Sequence, residues 1–206
     1  MATPSDLGQS VSVASFWEER YQAGQFGWDL GRPAPPFEDL LASSERPPAG
    51  RLAIVGCGRG HEALLFARHG YHVTGFDFAP SAIDTARSAA EREGLPATFV
   101  CSDIFALPDQ FRSTFDCVVE HTCFCAIDPS RRVEYVDVVR SLLRPAGELI
   151  GLFFAHGQPG GPPFTTTADE VRRLFEPHFT IERLVPAQNS VEARRGKEVF
   201  ARMRRR

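Results

Sequence analysis

The residues whose types and spacing point most directly to chemistry are the glycines of residues 51–60, RLAIVGCGRG, together with Asp77. Residues 52–55 are short, apolar and partly β-branched, as a buried strand requires, and they run straight into Gly56 and Gly58. Both glycines can take backbone angles closed to other residues and carry no Cβ, so a ligand can lie against the main chain there. Asp77 ends the next apolar run. A carboxylate at that place accepts hydrogen bonds from both hydroxyls of an adenosine ribose, and its charge disfavours a ribose phosphate. The dinucleotide fingerprint G-x-G-x-x-G/A needs a small residue where this chain has His61, which argues against a nicotinamide cofactor.

The elements that position these groups follow from hydrophobic spacing. Residues 52–55 and 71–76 read as strands around a helix over 61–69, whose free N–H groups face the crevice. A helix starts at Pro80 and runs to residue 93, stopped by Gly94. Residues 97–100, 115–119 and 148–154 are further strands. Residues 129–143 form a helix with Val133, Val136, Val139 and Leu143 inward, broken by Pro145 and Gly147. Thr165 to Thr167 cap a helix through Phe175, and 179–185 and 197–203 close as an antiparallel pair. Strand and helix alternate, so an α/β fold with a parallel sheet is expected. Glu120, His121 and Thr122 end the fourth strand, where ligands sit in such sheets, and all three are expected to face one.

Upstream, residues 1–10 are polar and expected to fray, and 11–23 form a helix with Val13, Phe16, Trp17, Arg20 and Tyr21 on one face. Residues 25–37, QFGWDLGRPAPPF, are too rich in Gly and Pro for regular structure and too aromatic for open water. Such a segment is expected to cover something, and a lid over a cofactor fits. A second short helix closes over 38–41, and 43–50 is a linker.

At 206 residues, 43% of them hydrophobic, the chain is expected to be one domain over 1–206, with a lid region at 1–45 and a core at 51–206. A net charge of −3 gives no reason to expect nucleic acid. The arginine-rich end, 202–206, reads as a solvated terminus. No apolar run reaches membrane-spanning length and no signal peptide is evident, so a cytoplasmic protein without a membrane partner is expected. Its five cysteines lie mostly in apolar surroundings, so reduced core thiols are expected rather than a disulfide framework. Cys123 and Cys125 lack the companions a zinc site needs, so no metal is expected.

VGCGRG with Asp77 resembles the cofactor loop of class I S-adenosylmethionine (SAM) methyltransferases. The run W-x-x-x-Y-x-x-x-x-x-x-W-D-L-G-R-P at Trp17, Tyr21 and residues 28–33 resembles the start of the thiopurine methyltransferase superfamily, most closely its thiol and halide (thiocyanate) methyltransferases. CSDIF (101–105), FDCVVEHTCFCAIDPSRR (115–132), LLRPAGELI (142–150), GGPPF (160–164) and EARRGKE (192–198) extend the resemblance over nearly the whole chain. It implies a Rossmann-like class I methyltransferase with a mostly parallel seven-stranded sheet, helices on both faces and an N-terminal helical lid. SAM would be the cofactor and S-adenosylhomocysteine the product. Trp17, Tyr21, Trp28, Gly56, Gly58, Asp77, Asp103, Ile104 and His121 are implied at the cofactor, Asp103 and Ile104 against the adenine. His121 stands where relatives often have Tyr.

For the acceptor pocket the resemblance nominates Trp28, Arg32, Phe124, Phe164 and Arg195. Relatives commonly have Tyr where this chain has Phe164, which makes the pocket less polar. Arg195 either draws an anion toward the pocket or forms a surface salt bridge. The implied reaction is in-line methyl transfer to a small thiol, bisulfide, halide or thiocyanate. No essential catalytic side chain is needed, because free thiols titrate near about 8.5; His121 and His156 are the candidates for assistance. The alternatives are S-, N- or O-methylation of a larger heteroaromatic metabolite, or a non-catalytic SAM-binding module. A monomer or weak homodimer is expected.

Overall fold

The computed structural model describes residues 11–206; the expectation for residues 1–10 lies outside the described residues. Strands β1 (Arg51–Val55), β2 (His72–Asp77), β3 (Ala97–Cys101), β4 (Phe115–Glu120) and β5 (Leu143–Phe154) are joined by β6 (Phe179–Pro186) and β7 (Glu198–Arg205). They form a seven-stranded sheet in the order β3-β2-β1-β4-β5-β7-β6, with β7 antiparallel to both its neighbours and the rest parallel. The helices are α1 (Ala14–Gln22), α2 (Pro35–Ala42), α3 (His61–Arg68), α4 (Pro80–Glu93), the short α5 (Pro108–Phe111), α6 (Arg132–Leu142) and α7 (Ala168–Phe175).

Side-chain alternation along the strands divides the core in two. Leu52 and Ile54 of β1, Cys117 and Val119 of β4, and Ile150 and Leu152 of β5 meet Phe37, Phe66 and Ile83 from α2, α3 and α4. Ala53 and Val55, Val118, and Leu149 and Phe153 meet Tyr135, Val139 and Phe175 from α6 and α7 on the other face. Helices on both faces and strands buried from both sides make this a Rossmann-like α/β fold. The strand order reverses direction between β1 and β4, so a crevice opens at their carboxyl ends. The glycine turn and His121 flank it.

Three expectations are corrected. Val133 is 63% exposed. Val136, Val139 and Leu143 are buried as expected, and Tyr135, Val138 and Leu142 complete the inward face, leaving Val133 outside it in the first turn of the helix. The arginines at the chain's end are not a solvated tail: β7 continues to Arg205, and Arg204 stands opposite Glu148 on β5. Both Arg202 and Arg204 pair with Glu148, at 2.9 and 2.8 Å, and both reach Glu182 on β6. Pro145 and Gly147 do not separate helix from strand; β5 begins at Leu143, and the irregularity becomes a register shift against β4.

Leu142→Ala is expected to cost about 2–5 kcal/mol through the cavity it leaves, whereas Val133→Ser is expected to stay within about 0.5 kcal/mol. Urea unfolding of the two variants measures the contrast.

Candidate functional site

A cavity of about 610 Å³ opens over the carboxyl ends of β1, β2 and β4. Its floor is Gly56 and Asp77, one wall is Ile104 and Phe105, and Trp17, Tyr21 and Trp28 stand across it. The far end is lined by Cys125, Ile127, Phe154, Pro162, Pro163 and Arg194. A smaller cavity of about 50 Å³ adjoins it between Gly58, Arg59, His61, His121 and Thr122.

The glycines have a steric reason. Gly56 and Gly58 lie at φ 61° and 52°, angles that favour glycine. A Cβ on Gly56 would stand 2.8 Å from the Cβ of Cys123, and one on Gly58 would stand 3.0 Å from the Tyr21 hydroxyl. The turn is thus pressed between β4's outgoing chain and α1. Asp77, 8% exposed, accepts hydrogen bonds from the N–H groups of Gly58 (2.8 Å) and Ala79 (2.9 Å). Burial pushes its carboxyl above the ordinary range, against the pull of those N–H groups and that of Phe78. Lone pairs remain on both oxygens for hydroxyl donors.

The N-terminal segment is tied to this floor at several points. Trp28 meets Trp17 and Tyr21 edge-on, at 5.5 and 5.6 Å between ring centres, and its indole N–H donates to the Tyr21 hydroxyl at 3.3 Å. Burial, then the nearby Asp77, push the Tyr21 phenol well up, so it stays protonated. Also on α1, Glu18 accepts from Ser81 of α4, N–H (3.0 Å) and hydroxyl both. Asp29, next to Trp28, accepts from Gly31 N–H at 2.6 Å and from His61 Nε2 at 2.8 Å, with Arg59 at 3.4 Å.

Deeper, four charged or polar side chains of low exposure interlock. His121 Nδ1 lies 2.8 Å from Glu62, which also accepts the Ala34 N–H at 3.1 Å. Arg194 donates to His121 Nε2 at 2.9 Å, to Glu198 at 3.3 Å and to the Trp28 carbonyl at 2.5 Å. Burial works against ionisation of Glu62, but His121 and the Ala34 N–H hold its carboxyl below the ordinary value. These contacts assign His121 an Nδ1–H that donates to Glu62 and an Nε2 lone pair taken up by Arg194.

The structure brings Trp17, Tyr21, Trp28, Gly56, Asp77 and Ile104 to the larger cavity, and Gly58 and His121 to the smaller one. Asp103 lies beside Ile104 but outside the lining, where it caps a short turn by accepting the Phe105 N–H at 2.9 Å. Arg32 borders the smaller cavity, largely exposed and paired with Glu38 at 2.6 Å.

Other expectations are corrected. Phe124 is 1% exposed and belongs to the core, edge-on to Tyr135 and Phe153. Phe164 stays outside the lining, where Pro162 and Pro163 take its place. Arg195 is exposed and pairs with Glu192 at 2.5 Å; its neighbour Arg194 is the arginine turned inward. His156 lies outside both cavities against Phe154 and the Pro163 carbonyl. Glu120 turns into the core, fully buried, instead of facing the cavity.

Sequence reasoning missed Asp29, Arg194, Cys125 and Phe154 as cavity or clamp residues. W-D-L-G-R-P was visible as a motif, but nothing local pairs Asp29 with His61. Adjacent arginines in RRGKE leave open which one turns inward.

A thiopurine S-methyltransferase family model matches residues 12–205. A probable thiol methyltransferase 2 from Arabidopsis thaliana is 31% identical over 202 residues, covering 95% of this chain and 87% of the relative. Thiocyanate methyltransferase 1 from Brassica oleracea is 32% identical over 197 residues, covering 92% and 84%. Thiopurine S-methyltransferase from Pseudomonas fluorescens (strain SBW25) is 27% identical over 184 residues, covering 82% and 84%. Among solved structures, one from work on the conversion of a disulfide bond into a thioacetal group during echinomycin biosynthesis superposes with a TM-score of 0.79. It is 25% identical and covers 93% of this chain and 92% of that one.

The Asp29–His61 pair has a definite pH sign. The hydrogen bond from Asp29 raises the His61 pKa from its ordinary 6.5. Burial works against Asp29, but His61, the Gly31 N–H and Arg59 hold it below its ordinary value. Its stabilisation is therefore lost as pH rises through the raised His61 value, and lost again as pH falls through the lowered Asp29 value. His61→Gln is expected to cost about 1 kcal/mol near pH 5.5 and progressively less in alkali, read from urea midpoints of both proteins across pH.

Proposed function

This chain belongs to the thiopurine S-methyltransferase family of SAM-dependent methyltransferases, and on that premise we propose that its acceptor is a small thiol, bisulfide or a related soft anion such as a halide or thiocyanate. The observation that carries this reading is the far end of the cavity. There Cys125, Ile127, Phe154, Pro162 and Pro163 present an apolar, sulfur-containing wall; the inward-turned Arg194 is already engaged by Glu198, His121 and the Trp28 carbonyl, and Arg131, also in the lining, by Glu134. Thiol and thiocyanate methyltransferases among the relatives support it.

The residues fit the cofactor. Gly56 and Gly58 leave main chain exposed where any side chain would collide. Asp77 keeps lone pairs for ribose hydroxyls. Ile104, with Asp103 beside it, would stand at the adenine. When bound, the cofactor supplies a methyl group already activated on a sulfonium, so transfer is an in-line displacement. The protein's work is then to align the acceptor and to exclude water.

Trp17, Tyr21 and Trp28 act as the lid. Their ring faces can hold a sulfonium cation, worth ~0.5–2 kcal/mol per good contact. They also strip water from a small anion, which raises its reactivity. His121 does not serve as a base, since both ring nitrogens are engaged by Glu62 and Arg194. A thiol acceptor instead enters already ionised, drawn from the fraction present in solution. The buried Cys123 thiol is pushed well up by its burial and Cys125 up to about 12, so the cavity's own sulfurs stay protonated and do not compete as acceptors.

Incubation with SAM and a panel of bisulfide, small thiols, iodide, thiocyanate and a heteroaromatic thiol is expected to give methylated small products by mass spectrometry. Turnover of the heteroaromatic thiol alone would replace this acceptor class with a larger one, and no turnover with retained affinity would indicate a binding module. Asp77→Ala is expected to weaken S-adenosylhomocysteine binding by ~1–3 kcal/mol through lost charged hydrogen bonds, measured by calorimetry. Unchanged affinity would remove Asp77 from the site.

A further inference from the structure

We infer that Glu120 is a positioning residue for methyl transfer: from inside the core its carboxylate holds the 121–125 turn that walls the cavity, and Tyr135 on α6 governs that hold. For its kinetic arm the inference rests on the methyltransferase reading above.

The turn bears four residues that line the two cavities, His121, Thr122, Cys123 and Cys125. Thr122 sits at φ 133°, a costly conformation for a β-branched residue that persists only where its surroundings over-determine it. Cys125 Sγ donates to the Thr122 carbonyl at 3.1 Å, and the main chain that follows Thr122 is held by Glu120. Its side chain is fully buried and folds back beneath the turn. One oxygen accepts the Phe124 N–H at 2.8 Å, the Cys123 N–H also donates to the carboxylate, and the other oxygen accepts the Tyr135 hydroxyl. Tyr135 is equally buried and packs edge-on against Phe124, at 5.5 Å. The acid therefore clamps the turn through its backbone and shares its second contact with a helix on the far side of the sheet.

Three donors converging on two oxygens suit a carboxylate and do not suit a carboxylic acid. A proton on Glu120 turns one oxygen into a donor and weakens the carboxyl as an acceptor for all three. The two main-chain N–H groups cannot reverse. Tyr135 can, but its own hydroxyl proton then loses its acceptor in a buried site. Protonation thus loosens either the turn or the tyrosine.

Burial pushes the Glu120 carboxyl up to about 7, although Tyr135 and the N–H groups pull it down, so the change falls within the working range of an enzyme. The groups facing it are Tyr135 from α6 and His121, Cys123 and Cys125 from the turn. Asp77 and Asp103 bear on the same turn through Cys123, and Arg132 and Arg194 through Cys125.

The test has two readouts. In the ligand-free protein, the backbone amide resonances of Cys123 and Phe124 are expected to titrate together with a midpoint of about 7. Glu120→Gln should abolish that titration. Tyr135→Phe, which removes a bond favouring the charged form, should raise the midpoint by about half a unit or more. In turnover with iodide or thiocyanate, neither of which ionises in this range, the acid limb of kcat should share the same midpoint and move with it in Tyr135→Phe. It should vanish in Glu120→Gln, with the KM for SAM little affected. Amide titration that survives Glu120→Gln overturns the inference, as does an acid limb that stays in place when the titration is gone. If Glu120→Gln does not fold, the direction of the midpoint in Tyr135→Phe decides. Failure of every acceptor leaves the amide result standing and counts against the acceptor assignment alone.

Discussion

The arrangement depends first on a group of charges withdrawn from water. Arg194, Glu198, His121 and Glu62 have side chains no more than 10% exposed, and each is satisfied by another member or by main chain. Removing solvent from such groups is expensive, and the cost is recovered only when geometry and hydrogen bonding are complete. Completion here requires two atoms from outside the sheet, the carbonyl of Trp28 and the N–H of Ala34. The N-terminal segment is therefore part of the condition under which the core's own charges are tolerable, and Trp28 is carried to the cavity as a result.

Around that centre the ties are graded in exposure. The Asp29–His61 bridge is partly buried and pH-dependent, and Glu18 reaches Ser81 at the edge of α4. The contacts among Trp17, Tyr21 and Trp28 are edge-on ring packing with one neutral hydrogen bond, without the charge of the Arg194 fork. The N-terminal segment is thus fastened most deeply at residues 28–34 and more lightly along α1.

Much of the fold was legible because it rests on local or periodic signals. Helix α4 was placed at its observed bounds by Pro80 and Gly94, and the strands of β1, β2 and β4 by short apolar runs ending in glycine or acid. The cavity floor was legible for the same reason: Gly56, Gly58 and Asp77 act through backbone freedom and a fixed offset. What was not legible depends on pairings distant in sequence. His61 finds Asp29, and His121 finds Glu62 and Arg194, only after the sheet has formed. Phe124 and Glu120 were assigned to the cavity because they neighbour residues that do face it; strand alternation and the reversal of the turn send both inward. On α6, Val136 and Val139 were read correctly and Val133 was not, since Tyr135 takes the buried place at that end of the helix.

The position of β7 has a consequence for how the molecule comes into being. It is the last strand in sequence, yet it lies between β5 and β6, cross-braced by Arg202 and Arg204 on Glu148 and Glu182. Until residues 198–205 leave the ribosome, β6 has no neighbour to join and the edge of β5 stands unpaired. The half of the sheet around β1 can form earlier, but Arg194 and Glu198 follow β6 in sequence, so the polar centre that fastens residues 28–34 closes only once residues 194–198 have emerged.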